Sequence, residues 1–450
     1  MASKRTEELI QADKDHLLHP YSTVGQTTGI IIEEAHGVYL VDTDGKEYMD
    51  MSAQLVCCNL GHRRPELMDA IRQAIDKIDY QHVFFGHSHP YIIELADKLS
   101  RFTPGDLNHF LFTSGGSEAT DSAIKIARLY WGNIGMAHKY KIISMYNSYH
   151  GVAGMSTYAT GLGRGALQNP FGPVSPGFIR VPSHYAYRSM FGDVPDPGRM
   201  STHFLEQIIL AEGPDSIAAF IAEPVMGAGG SLDPPPDWWP TVREICTKYD
   251  ILLIVDEVMT GFCRTGKMFA QEHWNIQGDL MTMAKGLTSA VLPLGGVAVS
   301  DKVYEGLKDK WFRHGFTYGA HPISCAVASA ALDVYVKDSV AENAARVGAH
   351  MKRRLKDEFL PLPCIGDVSG LGLHLGIELV NDKQSKMPLD TEVQNELKRK
   401  MFDAGIFIRI GEGWLGNRIF VTPPCVITKE EVDKALEIMK PLMAALKPLH

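Results

Sequence analysis

An apolar run ends in an acidic pair, Ile251-Leu252-Leu253-Ile254-Val255-Asp256-Glu257, and Lys285 follows 29 residues after Asp256 in Met283-Ala284-Lys285-Gly286. An amine set among such neighbours loses hydration and keeps little of its charge, and a neutral amine attacks a carbonyl to form a Schiff base. Lys285 and Asp256 are therefore the candidate catalytic residues, and together they point to an aldehyde cofactor held as an imine. Each alone has an ordinary alternative. An Asp after a strand caps turns and helices, and a lone Lys is usually solvated.

A second constellation is Thr113-Ser114-Gly115-Gly116-Ser117-Glu118-Ala119, which follows the strand-like run Phe110 to Phe112 and precedes a helical stretch from Thr120 to Tyr130. Two glycines let the backbone approach an anion closely, Ser117 can donate, and a helix N-terminus directs free N–H groups at a phosphate. A Ser-capped helix after a turn reads the same way, so the motif gains weight only in company. A rival phosphate motif, Gly261-Phe262-Cys263-Arg264-Thr265-Gly266-Lys267, is followed by Met268 where a nucleotide-binding loop needs Ser or Thr for magnesium, which argues against a nucleotide triphosphatase. The glycines of Gly227-Ala228-Gly229-Gly230 and Gly161-Leu162-Gly163-Arg164-Gly165 lack the dinucleotide-binding context and read as turns. His82, His87 and His89 do not have the spacing of a known metal site, so no metal is expected.

Elements must hold these residues. Five consecutive aliphatics before Asp256 leave no polar face, so the run reads as a strand covered on both sides, and in parallel sheets ligands gather beyond the carboxyl ends of such strands. Similar runs at Phe110 to Phe112, Lys141 to Ser144, Ala218 to Ala222 and Gly295 to Val299 alternate with helical patterns, which is α/β order. A Gly/Pro-rich section, 161–197, interrupts that order, and a second break near Thr317 to Pro322 precedes an amphipathic helix over Ser324 to Val336. A hairpin over Val38 to Tyr48, turning at Asp44-Gly45, has strands too short to stand alone and is expected to pack with the C-terminal part.

The chain has 450 residues, 45% of them hydrophobic, enough for one large and one smaller domain, with boundaries at 1–58, 59–322 and 323–450, the first and last segments forming the smaller domain. Net charge is −9, and Lys398-Arg399-Lys400 is too short a basic run to support nucleic-acid binding. Seven cysteines, two of them adjacent at Cys57 and Cys58, form no disulfide framework and suit a reducing compartment. The polar stretch Met1 to Asp15 contains no secretory apolar core, and no run of about 18 apolar residues occurs, so neither secretion nor a membrane partner is expected and the cytoplasm is the default location.

Set side by side, these segments resemble the class III, or ω-type, pyridoxal-phosphate aminotransferases of fold type I. The likeness covers nearly the whole chain. It is carried by Phe112 to Ala119, Tyr149-His150-Gly151, Ala222-Glu223-Pro224-Val225, Ile254 to Val258, Ala284-Lys285-Gly286, Gly315-Phe316-Thr317-Tyr318 with His321-Pro322, and Pro423-Pro424 with Ile427-Thr428. The resemblance implies a large domain with a mostly parallel seven-stranded sheet flanked by helices, a smaller α+β domain, and pyridoxal 5'-phosphate cycling with pyridoxamine phosphate. It also implies a homodimer with active sites at the interface.

Carried over by position, Lys285 is the Schiff-base lysine and Asp256 the partner of the pyridine nitrogen. Tyr149 and Val258 cover the ring faces, Gly115, Gly116 and Ser117 hold the phosphate, His150 and Glu223 lie near the cofactor, and Thr317 reaches the phosphate of the neighbouring subunit. Arg409, in Ile406-Phe407-Ile408-Arg409, resembles the arginine that grips a substrate carboxylate and swings away for donors without one.

Departures from the family pattern fall around the substrate. Ala228 stands where ornithine- and γ-aminobutyrate-type members carry a Glu that holds the arginine, and Val56 stands where many amine transaminases have Trp, leaving a wider pocket or one refilled by Phe84, Phe85 and Trp414. Cys263 replaces a common Gly, and Gly319-Ala320 replace Ser-Gly. The implied reaction transfers an amino group from a terminal amine, ω-amino acid or aminosulfonate to pyruvate or 2-oxoglutarate by a ping-pong cycle. The alternatives are a decarboxylase, aminomutase or racemase of the same fold, or a non-catalytic scaffold.

Overall fold

The run before Asp256 is the strand Leu252–Asp256, the middle of a seven-stranded sheet. In spatial order the strands are Leu107–Thr113, Gly295–Ser300, Leu280–Met283, Leu252–Asp256, Ile217–Ala222, Lys141–Met145 and Phe178–Val181. Only Gly295–Ser300 runs against the rest; it pairs antiparallel with both neighbours, while the remaining pairs are parallel. This computed structural model describes residues 2–162, 174–412 and 417–447. Trp414 and the glycines after 162 in the turn motif lie outside them.

Strand alternation divides the sheet's side chains between two cores. Leu252 and Ile254 join Ala119, Ala123 and Ala127 of the helix Gly116–Asn133 on one face, and Leu253 and Val255 join Trp238, Trp239 and Val242 of the helix Trp238–Lys248 on the other. Both faces are thus buried, as parallel strands require, and the uninterrupted aliphatic run follows from that. The alternation also separates the acidic pair. Asp256 continues the Leu252 and Ile254 side, whereas the buried Glu257 accepts from the backbone N–H of Gln271, 2.9 Å, and from the Thr260 hydroxyl.

The early hairpin forms from Tyr39–Asp42 and Glu47–Asp50, with Gly45 at φ +80° in its turn. Glu47–Asp50 then pairs in parallel with Ile406–Phe407, joining the first part of the chain to the last. A further sheet runs Ile365–Leu371, His374–Asp382, Asn417–Val421 and Arg409–Glu412. The helix Pro322–Lys337 extends slightly beyond its sequence expectation at both ends.

The phosphate-like motif at 261–267 has a structural use. Arg264 is buried, and its guanidinium donates to the Leu373, Thr422 and Pro423 carbonyls and, at 2.7 Å, to Asn59 Oδ1. His89 caps the helix Pro90–Leu99 by accepting from the Ile92 N–H at 3.2 Å, and its other ring nitrogen contacts the Ala320 carbonyl at 2.8 Å.

Candidate active site

Six strands of the sheet end on one edge, and the chemistry-bearing residues follow those ends. Gly116 and Ser117 come after Leu107–Thr113, Tyr149 and His150 after Lys141–Met145, Glu223 after Ile217–Ala222, Asp256 closes its own strand, and Lys285 comes after Leu280–Met283. They meet at a cavity of about 510 Å³, lined also by Pro20, Tyr21, Leu55, Gly151, Leu162, Ala228, Val258, Met259 and Arg409.

Asp256 is 3% exposed and fixed on three sides. Its Oδ1 accepts from the Thr282 hydroxyl at 2.8 Å and the Val258 N–H at 3.1 Å, and its Oδ2 lies 2.7 Å from His150 Nδ1. Thr282 is also its register partner on the neighbouring strand. A carboxylate only accepts, so Nδ1 carries the proton of that bond, and the buried Nε2 is left without a partner among the described residues.

Lys285 sits at φ +45°, a left-handed conformation that costs a non-glycine residue and persists only where its surroundings impose it. Burial pushes its ammonium down from 10.5 to about 8; the Arg409 guanidinium acts in the same direction, while Cys57, Asp256 and Glu223 oppose it. Roughly a tenth is therefore the free amine at pH 7 and about half at pH 8, which nucleophilic or base chemistry can draw on.

Glu223 ties two turns together, accepting from the Tyr149 N–H at 2.9 Å and the Gly227 N–H at 2.7 Å. Burial pushes its carboxyl up to about 7, assisted by the charge of Asp256 and opposed by His150 and the two N–H groups. The Tyr149 phenol is likewise raised, first by burial and then through its interactions with Tyr21. Ser117, in the first turn of the helix Gly116–Asn133, accepts from the Val152 N–H at 3.2 Å. A Cβ on Gly116 would meet Val258 Cγ1 at 2.9 Å, so glycine keeps the space between that side chain and the helix start open. Gly115 is the helix N-cap.

Arg409 extends into the cavity with its guanidinium 4.4 Å above the Phe420 ring. Its backbone N–H donates to Ser52 Oγ at 2.8 Å. No carboxylate of the described residues pairs with the guanidinium, and Ala228 lines the same cavity.

Four expected substrate or cofactor residues stand elsewhere. Val56 is 2% exposed and packed into the interior, and its neighbour Leu55 lines the cavity instead, because this segment turns through positive φ at Ala53, Gln54 and Val56. Phe84 is half-buried near Gly315, Phe85 is 84% exposed, and Thr317 is exposed, its carbonyl accepting from the Tyr80 hydroxyl at 2.7 Å. None of these four lines the cavity of the single chain. Conversely, sequence reasoning passed over Thr282, Tyr21, Leu55 and Met259. Thr282 lies in a four-residue strand whose register alone reveals it, and Tyr21 belongs to no motif.

The residues present suit pyridoxal phosphate. An orphaned buried imidazole nitrogen, a carboxylate held at the cavity wall, glycines opening a helix N-terminus to an anion and a weakly basic lysine each match a different part of that molecule.

Comparison with known proteins agrees. The profile of the class-III aminotransferase family matches residues 21–443. The putrescine–pyruvate aminotransferase of Pseudomonas aeruginosa is 34% identical over 448 residues, spanning 98% of this chain and 96% of that protein. The mitochondrial gamma-aminobutyrate transaminase 1 of Oryza sativa subsp. indica is 35% identical, spanning 97% of this chain and 86% of that protein. Among solved structures, an (S)-enantioselective omega-transaminase from Thermomicrobium roseum superposes with a TM-score of 0.93 at 40% identity, covering 98% of both chains. The omega transaminase of Pseudomonas jessenii in complex with PMP gives 0.92 at 34% identity, covering 97% of both.

Proposed function

We propose, for a chain that belongs to the class III aminotransferases and uses pyridoxal 5'-phosphate on the type I fold, that it takes an amino group from a terminal amine, ω-amino acid or aminosulfonate and delivers it to pyruvate or 2-oxoglutarate. The observation that carries this substrate class is Arg409, a cavity guanidinium with no carboxylate partner among the described residues and with Ala228 rather than an acid on the same wall. An arginine not held by a fixed acid can grip a carboxylate when one enters and withdraw when the donor has none.

When bound, the cofactor supplies a reactive aldehyde and an electron-accepting ring. The protein's own residues do the rest. Asp256, oriented by Thr282, Val258 and His150, keeps a proton on the ring nitrogen and so strengthens electron withdrawal. The N–H groups at Gly116 and Ser117 would hold the phosphate, with Gly115 as the extended approach, and Tyr149 and Val258, which line the cavity, would pack against the ring. Lys285 Nζ, about half neutral near pH 8, would hold the cofactor through its aldehyde and, once released, would serve as the base for the proton on the substrate Cα. Glu223 positions the Tyr149 turn through its two backbone hydrogen bonds.

We infer further a homodimer in which Thr317, Phe84 and Phe85 complete the partner's site, which accounts for their distance from the cavity of their own chain. A cytoplasmic location fits the seven free cysteines. Among the described residues no helix is long and apolar enough to cross a membrane.

Single-turnover mixing of the holoenzyme with donors tests the reading. A terminal amine, ω-amino acid or taurine should bleach the visible cofactor band, and pyruvate or 2-oxoglutarate should restore it. Bleaching by α-amino acids alone would overturn the substrate class. Lys285→Ala should lower turnover by roughly 100-fold to 10,000-fold while leaving the cofactor bound without a covalent link; near-normal turnover in that variant would remove Lys285 from its role.

A further inference from the structure

The segment 17–31, between the helix Lys4–His16 and the strand Ile32–His36, brings Pro20 and Tyr21 to the cavity wall. It is anchored from behind. Ser3 caps the helix by accepting from the Thr6 N–H at 3.2 Å, and the buried Thr6 hydroxyl bonds Thr43 Oγ1 at 2.9 Å and Asp44 Oδ1 at 2.8 Å, fastening the helix to the hairpin turn. His19 Nε2 meets Asp13 Oδ2 at 2.8 Å, folding the segment back on the helix just before Tyr21. Tyr21 itself takes φ +54°, a conformation a large side chain adopts only where context requires it.

Tyr21, Tyr149 and Arg409 line one cavity, and the two phenols lie near enough to each other and to the guanidinium to act on its titration. Phe420 beneath the guanidinium leaves its edge available. Three donors therefore converge where a carboxylate would enter, and a guanidinium and a phenol have complementary uses there. The former pairs with the charge, and the latter donates one directed hydrogen bond to a remaining lone pair.

We infer that Tyr21 is a specificity-determining residue whose hydroxyl hydrogen-bonds the carboxylate of the acid partner beside Arg409, so that the N-terminal segment helps select substrates bearing that group. The inference rests on Arg409 being the carboxylate site, and the test separates the two.

The experiment measures kcat/KM of the holoenzyme for pyruvate and for an aliphatic aldehyde of the same length, in wild type, Tyr21→Phe and Arg409→Ala. Tyr21→Phe should lower the pyruvate-to-aldehyde ratio about ten-fold, mainly through KM for pyruvate, the loss expected for one hydrogen bond to a charged group. Arg409→Ala should lower the ratio further. A ratio unchanged in Arg409→Ala would sink the Arg409 reading. A ratio lowered in Arg409→Ala but unchanged in Tyr21→Phe, including equal losses on both acceptors, would overturn the role of Tyr21 alone and leave it a packing residue.

Discussion

Lys285 combines a strained backbone with an ammonium that burial drives down to about 8. Its effect on the cofactor-free protein can be signed. Between about pH 8 and 10.5 the unfolded lysine is protonated more than the folded one, so stability rises with pH across that window. Below it the full cost of burying charge is present, at most about 3 kcal/mol for a shift of this size. Lys285→Met removes that cost, so the cofactor-free variant should melt higher than wild type at pH 7, and the gap should close as pH approaches 10.5. Glu223 and Glu257, both raised to about 7 by burial, cost stability as pH rises from 4.5 to 7; Glu257 cancels in the difference, and Glu223, which acts on Lys285, titrates below the window from 8 to 10.5 in which the gap closes. Calorimetry at a series of pH values checks it, and a pH-independent gap would assign the effect to packing instead. The pairing of Lys285 with Asp256 is readable from residue type and neighbours. The clamp on Asp256 is less so, since Thr282 becomes its partner only through strand register.

At the scale of elements, the start of the helix Gly116–Asn133 is where stability and function pull apart. Alanine is the better helix former by about 1 kcal/mol, yet a Cβ at Gly116 would press on Val258 Cγ1 at 2.9 Å. Gly116→Ala should therefore leave the melting temperature of the cofactor-free protein within a few degrees of wild type while weakening pyridoxal phosphate binding about ten-fold or more, measured by equilibrium titration. Unchanged affinity would remove Gly116 from the cradle. Five strands of the large sheet are legible as apolar runs, four of them because both faces are buried, and the fifth, the edge strand Leu107–Thr113, through Phe110-Leu111-Phe112. The other two lack that signal: Leu280–Met283 is four residues long and carries Thr282, and Phe178–Val181 is an edge strand interrupted by Arg180 within a Gly/Pro-rich section. Helix starts are equally obscure, since Gly-Ser-Glu at 116–118 reads as loop until the chain after Thr113 is seen to enter a helix there.

Among the described residues, the whole molecule exposes aromatic surface that lines no part of its own cavity. Phe85 is 84% exposed and Tyr318 66%; Tyr80 and Tyr318 rings lie 6.1 Å apart, Phe84 and Phe85 likewise, and Gly315 packs on Phe84 in the same segment as Thr317. Exposed apolar surface of this kind supports the homodimer proposed above, in which covering it would stabilise by roughly 25 cal/mol per Å². The pairing of Glu47–Asp50 with Ile406–Phe407 shows why such long-range arrangements escape a linear reading: two short strands more than 350 residues apart acquire meaning only together. In the homodimer proposed above the same would hold between chains, where Thr317 would gain a ligand only from the cavity of a second copy. Phe85→Glu places a charge that cannot be desolvated cheaply in that patch. Sedimentation should show wild type as a dimer at micromolar concentration and the variant shifted towards monomer, with bound pyridoxal phosphate falling in step, since each cavity loses the phosphate contact from its neighbour. A wild-type monomer with a full complement of cofactor would refute the shared site, and a monomeric variant that still held its cofactor would show that Thr317 contributes nothing across the interface.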